Sequence, residues 1–312
     1  MTEVLQGDIV HVVNKIAEHV HFSVIDNLGA PNKNIGDAFL SVWKVKREVS
    51  EELLAVASLW STVRSMRDIA LCPEINACAR RSDVQARLPG FTFSLGFGLH
   101  FGWAVECAIG SEHKIDASYL SPHVNLASRL EAATKQYGVP ILFSEEVAKH
   151  LSPTLLSLCR LLDRVTVKGS TQPLHVYTWD FQPFTHLSPS TASDESSGGK
   201  EEVSGVDALA TSMRPGGEWE SHCTPEELLL QYGPHTSESF RHLFKQAVEA
   251  YLGGPTGEAS NWKEATVLLQ QCREVRPGDG PSERLLSFVS QHADKDENAP
   301  SWWRGFRSLE DK

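Results

Sequence analysis

The chain has 312 residues, with 29 Lys and Arg against 40 Asp and Glu, a formal charge of −11. That length allows one large or two modest domains with a real core, and 41% hydrophobic with 22% charged residues excludes wholesale disorder. An acidic chain lacks the basic footprint that polymeric nucleic acid demands, although a single nucleotide needs only a local cationic pocket.

In chain order, Ile9, Val12, Val13, Ile16, Val20, Val24 and Leu28 recur at three- and four-residue steps and predict a first helix, stopped by Gly29-Ala30-Pro31. Ala38 to Trp43 predicts a strand. Ser50-Glu51-Glu52 opens a helix to about Met66, because a hydroxyl cap and early acids suit a helix N-terminus. Residues 72–90 read as a mobile connection. Strands are expected around Phe91–Phe101 and Trp103–Ile109. Ser121-Pro122 starts another helix that Gly138 ends. The strand Val139–Phe143, a short helix near Glu145–His150, and strands Arg164–Lys168 and Leu174–Trp179 follow. This alternation indicates an α/β or α+β sheet layered by helices over residues 1–183.

From 184 to 223 Ser, Gly, Pro and acidic residues predominate (SPSTASDESSGGKEE), the composition of a flexible linker. Residues 224–312 carry three apolar helical stripes: Phe240 to Tyr251, Trp262 to Cys272, and Leu285 to Val289. They suggest a small tetratricopeptide-like module that packs on the main domain or on a partner. No apolar run reaches the roughly 18–20 residues of a membrane helix, and MTEVLQGDIVHVV lacks the pattern of a signal peptide. The six cysteines contain no CxxC pair, which favours reduced thiols in a cytosolic compartment.

Three segments bear chemistry. Lys33-Asn34-Ile35-Gly36-Asp37 sets a cation four residues before a carboxylate, and taken alone it reads as a surface turn. Asn125 and Arg129, four apart after Ser121, project from one face of a helix; an amide beside a guanidinium can orient a sugar and neutralise phosphate charge. By itself this is an ordinary polar pair. Val165-Thr166-Val167-Lys168-Gly169 reads as a strand ending in a basic turn.

In this order, NKNIGDAFLSVWK, then GLHFGWAVECAIGSEHKIDASYLSPHVNLASRLEAATKQYGVPIL, then DRVTVKGSTQPLHVY resemble the class III adenylate/guanylate cyclase catalytic domain over about residues 8–180. The final WWRGFRSLEDK is similar to a tail found in some microbial and protist cyclases. The resemblance implies a ferredoxin-like sheet flanked by helices and a site formed between two domains packed head to tail, in a homodimer or heterodimer. It implies formation of 3′,5′-cyclic AMP from ATP, with GTP as the alternative substrate. Residue by residue, it makes Asp37 a ligand of Mg2+ or Mn2+, and Lys33 and Ser118 readers of the base, where Lys with a hydroxyl favours ATP. It makes Asn125 the ribose-orienting amide, Arg129 the group that stabilises transition-state charge, and Lys168 a contact to the terminal phosphates.

The family's first metal aspartate lies in a Phe-x-Asp-Ile-x-Gly-Phe-Thr context that this sequence lacks. Asp8-Ile9-Val10 is similar only superficially, since Asp8 lies 29 positions before Asp37 and no Gly-Phe-Thr follows. Asp8 is therefore expected to cap the first helix, with the opening strand missing. This leaves two expectations: an N-terminally truncated cyclase, or a natural half-site that pairs with a domain bearing both aspartates. A regulatory or dimerisation module, or a tail that acts as the interaction module, are the readings from other classes.

Overall fold

The computed structural model describes residues 5, 7–167, 172–181, 223–254 and 256–309. Helix α1 (Asp8–Asp26) buries Val12, Ile16, Val20 and Val24, the stripe that its spacing predicts. Asp8 lies inside the first turn, after Gly7 at the cap position, and its carboxylate accepts a hydrogen bond from Arg81.

Where the sequence suggests a turn around Lys33, the chain forms an antiparallel hairpin of β1 (Ala30–Ile35) and β2 (Ala38–Val42). A register shift between Pro31 and Lys33 lets β1 carry a residue with no N–H to donate. Gly36, at φ +66°, makes the turn, a backbone conformation that costs glycine little.

Helix α2 (Glu51–Leu71) starts where Ser50 accepts the Leu53 amide at 3.2 Å, and it runs on past Met66. Residues 72–90 are not irregular: they contain α3 (Pro73–Ala79) and α4 (Ser82–Arg87), anchored by buried Ile75, Ala79 and Val84. Three anchors are too few to produce a periodic signal, yet each gains the roughly 1–3 kcal/mol of a buried small-to-medium apolar side chain.

The long strand expected at 91–101 reduces to β3 (Phe97–Leu99). Two further strands, β4 (Val105–Ser111) and β5 (Lys114–Leu120), pair antiparallel; β5 does not emerge from the sequence because both faces of this hairpin are largely exposed and no alternation is imposed on it. Helix α5 (Pro122–Tyr137), β6 (Ile141–Ser144), α6 (Glu145–Ala148), α7 (Pro153–Leu158), β7 (Arg160–Val167) and β8 (Leu174–Thr178) follow. Lys168 and, except for Cys223, the segment expected as a linker at 184–223 lie outside the described residues.

After 224 come α8 (Pro225–Gln231), α9 (Glu238–Leu252), α10 (Trp262–Val275), α11 (Gly280–His292) and β9 (Arg307–Leu309). The main sheet has the order β3-β6-β8-β7-β9. The β3–β6 and β7–β9 pairs are parallel and the others antiparallel; the two hairpins stand as separate two-stranded sheets. The C-terminal helices share one core with this sheet. Leu130, Ala133 and Tyr137 of α5 and Val165 and Val176 of the sheet lie in the same apolar cluster as Phe244, Tyr251, Trp262, Leu285 and Trp303.

A buried ionic knot reinforces the junction. Arg160 on β7 grips both oxygens of Asp180 at 2.6 Å and both oxygens of Asp279, the cap of α11, at 3.0–3.1 Å. Its guanidinium also lies over the rings of Phe240 and Phe244 on α9. Burial alone would lower the pKa of Arg160; the two carboxylates reverse this and leave it raised.

Candidate active site

Strand β5 runs straight into α5, so one short stretch of chain places three of the singled-out residues. Ser118 is half-buried near the end of β5, opposite Cys107 of β4. At the junction Ser121 caps α5: its Oγ accepts the His123 amide at 3.0 Å and donates to the Trp103 carbonyl at 2.6 Å. Asn125 is then exposed in the first turns of α5, and Arg129 is half-buried one turn further on the same face. A shallow groove lined by Trp103, Val105, Tyr119, Leu120, Val124 and Asn125 opens beside them.

Lys33 enters from the other hairpin. It is half-buried on β1, which packs against β5, so the strands bearing Lys33 and Ser118 are neighbours. Asp37 is not gathered with them. It is exposed at the tip of the β1–β2 hairpin, just after Gly36, and engages in no hydrogen bond or ion pair with any described residue. Among the described residues no group of three or more His, Cys, Asp or Glu is placed to hold a metal ion. A hard divalent cation needs several oxygen ligands, so these residues do not by themselves fit the two-ion centre that the resemblance implies.

Two polar clusters around the site are missing from the sequence reading. In the first, Lys44, just beyond β2, donates to both Glu106 oxygens at 2.6 Å, while Tyr119 donates to Glu106 at 3.1 Å. Hydrogen bonding between the two raises Lys44 and lowers Glu106 from their usual pKa values, and the cluster ties one hairpin to the other. In the second, the His100 ring lies 2.7 Å from Ser144 Oγ on β6 through Nδ1 and 2.7 Å from His123 Nδ1 through Nε2. The partners are 62 residues apart in the first cluster and 44 and 23 in the second, so no local spacing announces either.

The face beside the groove is apolar and open. Trp103 is 63% exposed, and Val105, Ile109 and Leu120, which share one side of the β4–β5 hairpin, are exposed as well. Apolar side chains this concentrated on a two-stranded hairpin suit a surface that another protein covers.

The sequence model of the adenylate and guanylate cyclase catalytic domain matches residues 7–180. An adenylate cyclase of Anabaena cylindrica is 43% identical over 86 residues, which cover 27% of this chain and 17% of that protein. The terminal-differentiation-specific adenylate cyclase of Dictyostelium discoideum is 26% identical over 179 residues, 56% of this chain and 8% of its own length. The chain thus spans less than a fifth of the length of either relative. Among solved structures, the adenylyl cyclase CyaB from P. aeruginosa aligns over 54% of this chain and 80% of its own at 22% identity, with a TM-score of 0.41. Among the described residues no helix is long and apolar enough to cross a membrane. With more than half of its length, 7–180, matched by that one model, the chain belongs to the adenylate and guanylate cyclase catalytic domain family.

Proposed function

We propose that this chain supplies the base-reading and charge-stabilising half of a nucleotide cyclase site, converting ATP to 3′,5′-cyclic AMP and pyrophosphate once a second cyclase domain completes it. The observation that carries this reading is the placement of Asn125 and Arg129 on one face of α5, directly after the strand of Ser118 and next to the strand of Lys33. Lys33 and the Ser118 hydroxyl offer donors and an acceptor to the edge of an adenine ring. Asn125 orients the ribose so that its 3′ oxygen attacks the α-phosphorus. A new O–P bond forms there, the bond to the bridging oxygen of the β-phosphate breaks, and pyrophosphate departs. The proton of the 3′ hydroxyl passes to solvent. Arg129 faces the negative charge that accumulates on the phosphoryl oxygens, where a fixed guanidinium is most effective.

Asp37 alone makes a poor cation site, which supports assigning the paired carboxylates for Mg2+ or Mn2+ to the partner domain. The exposed apolar β4–β5 face supports a head-to-tail pairing, and a partner that brings both aspartates favours a heterodimer over a homodimer. The same lack of an acidic cluster among the described residues favours a second reading, a cyclase-like subunit that pairs and regulates without turnover.

The two readings separate in one assay. The full chain is incubated with Mn2+ and ATP or GTP, alone and mixed with a cyclase domain that has both metal aspartates but lacks its own transition-state arginine. Cyclic AMP is expected only in the mixture, from ATP in preference to GTP, and Arg129→Ala in this chain should lower the rate by about 10²–10³-fold. No product in any mixture would overturn the catalytic reading and leave the regulatory one.

A further inference from the structure

The helix that carries Asn125 and Arg129 is held at both ends, and the two holds come from different parts of the chain. Its N-terminal end is fixed within residues 7–180, by Ser121 on the Trp103 carbonyl and by His123 on His100. Its C-terminal end is fixed through the tail. Tyr137, the last residue of α5, donates its hydroxyl to Asp163 Oδ2 at 2.8 Å, and Arg307 of β9 donates Nε to that same oxygen at 2.6 Å. Asp163 is fully buried on β7, and its other oxygen accepts the Arg164 amide at 2.8 Å. The Arg307 guanidinium lies over the Tyr137 ring at 5.1 Å and over Phe288 of α11 at 5.2 Å.

Gly280, the first residue of α11, adds a backbone contact. A Cβ built there would sit 2.2 Å from the Tyr137 carbonyl oxygen, so only glycine allows the tail to approach α5 this closely.

We propose that Arg307 is a positioning residue for the α5 helix, acting through Asp163 and Tyr137, so that the C-terminal layer is a working part of the cyclase unit. This rests on the roles proposed above for Asn125 and Arg129. At 1.5 Å per residue, Tyr137 lies about 12 Å along the helix axis from Arg129 and about 18 Å from Asn125. An α-helix transmits a tilt at one end to side chains further along it. Transition-state contacts lose effect steeply with small displacements, by up to about 10²-fold for 1 Å. Ground-state binding of the nucleotide, spread over the base and phosphates, is less sensitive. Arg307 therefore governs kcat more than KM.

The test uses the full chain with Arg307→Gln, Arg307→Lys and Tyr137→Phe, the last removing one hydroxyl while leaving the Arg307–Asp163 pair in place. Each variant is assayed in the two-domain mixture well below its own Tm, with the rate expressed per folded molecule. Arg307→Gln and Tyr137→Phe should each lower kcat about 10-fold with KM within twofold. The double variant should be no worse than the poorer single, because both act through one carboxylate. Arg307→Lys should recover part of the loss. Hydrogen exchange provides a readout that needs no activity: amides of residues 130–137 should exchange faster in both variants while those of β6 stay unchanged. An inactive wild-type mixture with faster exchange in the variants would sink the cyclase reading but keep the positioning role. Unchanged exchange over 130–137, or a kcat per folded molecule equal to wild type, would overturn the positioning role.

Discussion

His100 shows how much a single imidazole can carry at this site. Burial, with His123 as a secondary cause, pushes its pKa down to about 4 from an ordinary 6.5, against a small opposing pull from Glu146. The unfolded chain therefore takes up the proton first as pH falls. The stabilisation is complete above about 6.5 and is lost as pH drops from there towards about 4. A His100→Gln variant should show a flatter loss of stability over that window than wild type, read from urea midpoints at pH 7 and pH 4.5. At this scale the sequence was informative where chemistry is written in neighbours: Asn125 and Arg129 stand four apart and share a helix face. It was silent on His100, His123 and Ser144, whose meeting depends on three elements folding onto one another. The turn expected around Lys33 proved to be a strand, because Pro31 reads locally as a breaker while the β1–β2 register tolerates it.

Helix starts were legible where a capping side chain marks them, as at Ser50 and Ser121, and not where none does, as at Gly7 before α1, where Asp8 was expected to cap. Ser50, Ser121, Ser152, Thr224, Ser237, Asn261 and Asp279 all cap the helices that follow them. The cap at Ser121 has a further task, because its hydroxyl also holds the Trp103 carbonyl beside the groove. Ser121→Ala should cost about 1 kcal/mol of stability, seen as a lower denaturation midpoint. Strands were less legible. The buried pattern alternates cleanly along β8 and, on either side of a bulge at Leu161–Asp163, along β7, whereas β4 and β5 face solvent and wear mixed chemistry. Strand β9 spans three residues and exists because Val165, Thr166 and Val167 offer it an edge, a reason that lies 142 positions away.

At the scale of the whole molecule, Arg160 is the strongest joint between the sheet and the C-terminal helices. Its side chain and those of Asp180 and Asp279 are 2–4% exposed, so removing the cation leaves Asp180 buried without a counter-charge and Asp279 with only the more distant Arg276, at 3.9 Å. Arg160→Met should cost about 3–5 kcal/mol. Wild type should unfold in one cooperative transition by both near-UV circular dichroism and tryptophan fluorescence, because one apolar cluster spans both parts. The sequence leaves that union as one of two outcomes: a helical module too small to bury its own faces must pack on the main domain or on a partner, and it is the shared cluster that decides for the main domain.

The pairing of β9 with β7 also bears on how the molecule is made. A growing polypeptide leaves the ribosome N-terminus first, so β7 is available long before its parallel neighbour at Arg307–Leu309 is synthesised. Until then the β7 edge is open and the Asp163 carboxylate lacks Arg307, so this edge can pair with another chain during translation.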